Sequence, residues 1–63
     1  MTIGSNIRRL RTLHDLTQEE FGKLAGVSAM AVSQWENERA VPRMGAVQKI
    51  SDALGVSKND SIG

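Results

Sequence analysis

With 63 residues, eight Lys or Arg against seven Asp or Glu and no cysteine, the chain has room for one domain with one small core, and disulfides and thiolate metal sites are excluded. Catalytic clefts are hard to build at this size, so no enzyme activity and no cofactor are expected. Apolar runs span only a few positions and Met1-Thr2-Ile3-Gly4 does not resemble a signal peptide, so the reading is of a cytoplasmic protein with no membrane partner.

The first helix is predicted to begin after Thr2 or Ser5, either of which can cap it, and carries Ile3, Ile7 and Leu10 as an apolar stripe of helical period. It ends near His14. Thr17 caps a second helix, with Glu20 completing a capping box of the form T-x-x-E. Phe21, Leu24 and Ala25 form its inner face. Gly26 follows the last periodic residue, where a positive φ ends a helix. Ser28 caps a third helix that runs to about Asn37, and Asn37 to Pro42 reads as a polar loop. Arg43 opens a fourth helix with Val47, Ile50 and Leu54 on its buried face and Gly55 as its stop. Ser57 is a candidate cap for a short fifth element, but Lys58 to Gly63 offers only Ile62 as an anchor and reads as a frayed end or the start of a linker. No alternating pattern supports a strand. The fold class is all-α, a compact four- to five-helix bundle in one domain over residues 1–63.

Gln18 to Trp35 is the informative stretch, since two short helices joined by a tight turn form a helix-turn-helix. Helices that cross steeply need small residues at the crossing, and Gly22 meets that need. Mid-helix glycine costs about 1 kcal/mol relative to alanine, so it reads as a packing choice. On the third helix a step of about 100° per residue puts Ser28, Ala31, Val32 and Trp35 on the inward side. Ala29, Met30, Ser33, Gln34 and Asn37 lie on the other side, a surface without charge. Such a face suits DNA: Gln34 matches adenine, Ser33 matches several base edges, and Ala29 and Met30 match thymine methyl groups. Thr17, Gln18 and Ser28 at the helix starts, Arg11 on the first helix, and Asn37, Arg39 and Arg43 in the loop are candidates to hold phosphate and orient the reading helix. The Arg8-Arg9-Arg11 cluster fits equally a solvated helix face. Trp35 reads as core rather than a stacking platform. Met30 is open between meeting a thymine methyl and covering the edge of the core.

These residues carry a resemblance. The segment resembles the helix-turn-helix of the lambdoid phage repressor and Cro family, and SQWE with a downstream proline is especially similar to repressors carrying VSQWE or ISQWE. The similarity runs from about Ile3 to Ser57. It implies base contacts from Ala29, Met30, Ser33 and Gln34 and an ion pair between Arg11 and Glu36. Ala29 and Met30 depart from the Gln or Asn of many relatives, which implies apolar contact at that end of the site. Asp60, Ser61 and Ile62 stand where relatives carry an aromatic residue and two leucines that seat a dimer. The implied function is sequence-specific binding of double-stranded DNA by a transcriptional repressor or regulator, with residues of about 28–37 in the major groove of a palindromic operator. Two copies would meet on half-sites about 10 base pairs apart, as a dimer on DNA that is weak or monomeric alone. The alternative is a protein-interaction module, antitoxin-like or an adaptor, built on the same fold.

Overall fold

A computed structural model describes residues 2–55. It contains α1 (Ile3–Leu13), α2 (Gln18–Ala25), α3 (Ala29–Glu36) and α4 (Met44–Leu54), with no strand among the described residues. The fifth element expected at Ser57, and the dimer-seating positions Asp60 to Ile62, lie outside these residues. No helix is long and apolar enough to cross a membrane among the residues described.

The first three helices open on a side chain that satisfies a backbone N–H lacking an intrahelical partner. Of the two candidate caps for α1, Thr2 takes the position: its hydroxyl accepts from Ser5 N at 3.1 Å, and Ser5 Oγ accepts in return from Thr2 N. In α2 the same reciprocal box joins Thr17 and Glu20 at 3.0 and 2.9 Å. Ser28 accepts from Ala31 N at 3.2 Å.

Helix ends divide into two kinds. Those of α2 and α4 fall on Gly26 and Gly55, with φ of 76° and 74°. In α1 and α3 the left-handed residue is Asp15 or Glu38, at φ 56° and 62°. Leu16 N donates to Arg11 O and Arg39 N to Gln34 O, at 3.0 and 2.8 Å, the long bond of a Schellman end made without its usual glycine.

Packing then follows the apolar faces. α2 lies against α3 and α4, and α1 lies against α3. Ile7, Phe21, Ala25, Val32, Trp35 and Ile50 form the buried core, with Phe21 and Val32 wholly enclosed. Enclosing a side chain of that size contributes about 1.5–3 kcal/mol. Leu10, Leu16, Val27, Ala40, Ala46 and Leu54 surround it. Two expectations need correction: Ile3 and Val47, assigned to buried stripes, are 51% and 37% exposed. α1 and α4 do not pack closely on each other, and these side chains line an apolar groove of about 230 Å³ left there, above Ile7, Phe21 and Ile50.

Candidate nucleic-acid interface

The turn between α2 and α3 closes directly over Gly22. A Cβ at that position would sit 2.6 Å from the carbonyl oxygen of Val27 and 3.1 Å from the Ser28 carbonyl group. Val27 N donates back to Gly22 O at 2.8 Å. No side chain fits between, so glycine here sets how near the two helices approach.

α3 presents its faces with one departure from the helical-period reading. Val32 and Trp35 are buried and Ala31 is half-buried, whereas Ser28, expected on the inward side, is exposed. Ser28 is extended, at φ −81° and ψ 164°, so the 100° step does not yet apply to it. Met30 is 70% exposed, which rules out its covering the core edge. Gln34 and Asn37 are exposed, and Ala29 and Ser33 are half-buried.

One ion cluster ties this helix to the other two. The Glu36 side chain is entirely buried and its carboxylate accepts from Arg11 Nε at 2.6 Å, Arg11 Nη2 at 3.2 Å, and both Arg8 Nε and Gln18 Nε2 at 3.3 Å. Burial pushes the Glu36 carboxyl up, but the hydrogen bonds from Arg11, Gln18 and Arg8 outweigh it and hold the group below the usual glutamate value. The Arg11 guanidinium is raised above its ordinary value by its hydrogen bond to Glu36, against the opposing effect of burial. Arg11 Nη1 also donates to Leu16 O at 2.9 Å. The sequence reading missed Arg8 and Gln18 as partners of this pair, although Arg8 lies three residues before Arg11 on the same helix face.

The remaining candidates differ in how far local hydrogen bonds already occupy them. Thr17 is taken up as the cap of α2, and Glu20 closes its N–H, leaving the N–H groups of Gln18 and Glu19 open at that helix start. Asn37 turns back onto α3, its Nδ2 lying 2.8 Å from Ser33 O and 3.3 Å from Ser33 Oγ. Among the described residues, Arg9, Lys23, Arg39, Arg43 and Lys49 form no ion pair. Arg43 and Lys49 share with Gln34 a groove of about 630 Å³ between α3 and α4. Lys49, which the sequence reading passed over, lies with its Nζ beside Gly26 at the end of α2. Its position 23 residues after Gly26 gives no local signal of that contact. The loop after α3 is anchored from the other end of the chain, since the Thr2 hydroxyl donates to the Glu38 carboxylate.

Comparison with known proteins agrees with this geometry. A family model described as Helix-turn-helix matches residues 7–60. The chain belongs to that helix-turn-helix family. Within it, the chain is 38% identical over 61 residues to the antitoxin PezA of Streptococcus pneumoniae serotype 4, covering 97% of this chain but 39% of PezA. It is 40% identical over 55 residues to the HTH-type transcriptional regulator y4dJ of Sinorhizobium fredii, covering 87% of this chain and 71% of that protein. Among solved structures, the P22 c2 repressor in complex with a synthetic operator superposes with a TM-score of 0.81 at 35% identity, over 90% of this chain and 86% of the repressor chain. The lambdoid repressor type expected from SQWE and the glycine pattern is thus the type found. The chain spans about two fifths of the length of PezA, and most of that of y4dJ.

Proposed function

We propose that the chain binds double-stranded DNA sequence-specifically as a transcriptional repressor or closely related regulator, with α3 in the major groove. The observation that carries this reading is the charge of α3. Its only ionised residue, Glu36, is buried and bound inward by Arg8, Arg11 and Gln18. An exposed anion on this helix would repel phosphate; instead the surface is neutral and flanked by the free cations Arg39, Arg43 and Lys49.

In this reading Gln34 bonds adenine through both atoms of its amide, Met30 and Ala29 meet thymine methyl groups, and Ser33 bonds a base edge. Arg39 and Arg43 hold phosphate, helped by Gln18, Ser28 and the open N–H groups of Gln18 and Glu19 in the first turn of α2. Asn37, given a phosphate role by sequence, is turned instead onto Ser33. Arg11, given a phosphate role by sequence, is assigned here to positioning α3, because its guanidinium is largely buried against Glu36 and Leu16. Two copies bind a palindrome. The domain measures 31 × 23 × 22 Å, narrow enough for two to occupy major-groove segments about 34 Å apart on one face of the duplex.

The likeness to PezA supports a second reading, an antitoxin-type module whose exposed Met30 and Val41 contact a protein. Salt titration of duplex binding separates the two. Phosphate-dominated binding weakens with a log-log slope near −0.9 per neutralised phosphate, and Gln34→Ala reduces discrimination between duplexes. Affinity for duplex that is indifferent to salt, or discrimination untouched by Gln34→Ala, would contradict the proposal.

A further inference from the structure

Ser33 sits in the middle of the surface assigned to base reading, and the hydrogen bonds around it limit what its hydroxyl can offer. A hydroxyl carries one donor hydrogen and two acceptor lone pairs, and it normally rotates to suit its partner. Thr12 in α1 shows the usual outcome inside a helix: its hydroxyl lies 2.9 and 3.1 Å from the carbonyls of Arg8 and Arg9, and donates back to them. Ser33 makes no such bond. Among the described residues its hydroxyl contacts only Asn37, at 3.3 Å.

The orientation of the Asn37 amide is fixed by chemistry. The same nitrogen lies 2.8 Å from Ser33 O, a carbonyl oxygen that only accepts, so this atom is the NH₂ and not the amide oxygen. Its second hydrogen then points at Ser33 Oγ, which must accept. One lone pair of the hydroxyl is thereby occupied, and its hydrogen is directed away from Asn37 with no protein acceptor.

We propose that Asn37 is a positioning residue that polarises Ser33, so that Ser33 acts as a hydrogen-bond donor and selects a base presenting an acceptor. In the major groove those acceptors are guanine N7 and O6, adenine N7 and thymine O4; the cytosine amino group offers only a donor. Opposite a base acceptor the hydroxyl is satisfied at both ends. Opposite an amino group it is left with an unpaired O–H in a desolvated interface, the costly case. The inference rests on the proposed DNA-reading role of α3 and adds to it a stated preference at one base pair.

The variant that tests it is Asn37→Asp. A carboxylate has no hydrogen to give, so it loses the bond to Ser33 O and swings from that oxygen toward the Ser33 hydroxyl, from which it can only accept. The hydroxyl then shows only lone pairs to the base. Fluorescence anisotropy would be measured with the duplex enriched by the wild-type chain and with every single-base-pair change of it. Wild type is expected to prefer an acceptor base at one base pair of each half-site by roughly fivefold. Asn37→Asp is expected to reverse that preference toward a donor base at that pair, while weakening all duplexes alike through its added negative charge. Ser33→Ala, which leaves the helix intact, is expected to abolish the preference there and nowhere else. Ratios in Asn37→Asp within about twofold of wild type at every base pair would overturn the proposal, as would preserved preference in Ser33→Ala. If Asn37→Asp melts below the assay temperature by circular dichroism, Ser33→Ala and Asn37→Ala decide the matter, the latter expected to flatten the preference without reversing it. A wild-type chain with no base preference anywhere would instead remove the DNA-reading role itself.

Discussion

Replacing Glu36 by Gln removes one charge while keeping the shape of the side chain, and the arrangement around it gives the consequence. Glu36 Oε1 accepts from Arg8, Arg11 Nη2 and Gln18, while Oε2 accepts from Arg11 Nε at 2.6 Å. An amide has one oxygen. Placed at the Oε1 position, it leaves its NH₂ facing Arg11 Nε, donor against donor; flipped, it forfeits the three bonds on the other side. Arg8 is 58% exposed and its bridge contributes little. Arg11 is 16% exposed, so a guanidinium is left without its counter-charge, a change that costs about 3–5 kcal/mol when a buried pair is broken. A domain of this size has only about 3–9 kcal/mol of stability in all. Glu36→Gln is therefore expected to be partly or wholly unfolded at 25 °C.

The same group sets an acid limit. Because folding lowers the Glu36 pKa, the unfolded chain binds more protons than the native state in the acid range. Its contribution is complete above the ordinary glutamate value of about 4.3 and is lost as pH falls through the lower native value. Urea unfolding followed by circular dichroism, at pH 7 and in steps down to pH 3, reads both effects. A variant within about 0.5 kcal/mol of wild type at pH 7, losing stability in acid as steeply as wild type, would refute the reasoning.

Gly22→Ala is expected to lose about 1–3 kcal/mol despite better helix propensity, because the new methyl meets the Val27 carbonyl oxygen at 2.6 Å; chemical denaturation measures it, and a more stable variant would mean that the turn yields. Asp15→Gly is expected to gain about 0.5–1 kcal/mol, since an exposed side chain at φ 56° is replaced by a residue at ease there, and a thermal melt should rise by a few degrees. Arg39→Ala and Arg43→Ala are each expected to reduce the salt slope of duplex binding by about 0.9 without changing base preference, checked by titration in increasing salt.

Much of this architecture could be read locally. Thr17 with Glu20, and Gly26 after Ala25, are signals confined to a few neighbouring residues, and they place both ends of α2 where the structure has them. The lambdoid resemblance identified the family and the pairing of Arg11 with Glu36. What escaped depends on contacts distant in sequence or on conformations that composition does not mark. Asp15 and Glu38 take the left-handed position normally given to glycine, and their identities do not announce it. Gly4 reads as an ordinary helical residue, yet a Cβ there would run into the Trp35 carbonyl and the Glu38 carboxylate. Gln18 joins Glu36 across 18 residues. Ile3 and Val47 fit an apolar period yet stay partly open, because periodicity gives a helix face and not the closeness of its neighbour. Asn37 read as a residue free for phosphate, and the direction of its amide, back toward Ser33, is visible only in three dimensions.

The central claim is that α3, cleared of charge by the burial of Glu36, reads DNA bases. Selection of bound sites from random duplex DNA by the wild-type chain tests it most directly. The expected result is one enriched motif with two symmetric half-sites about 10 base pairs apart, in which positions change preference when Gln34 or Ser33 is replaced by alanine. A pool that stays random through successive rounds, in salt low enough for the chain to bind duplex at all, would contradict it.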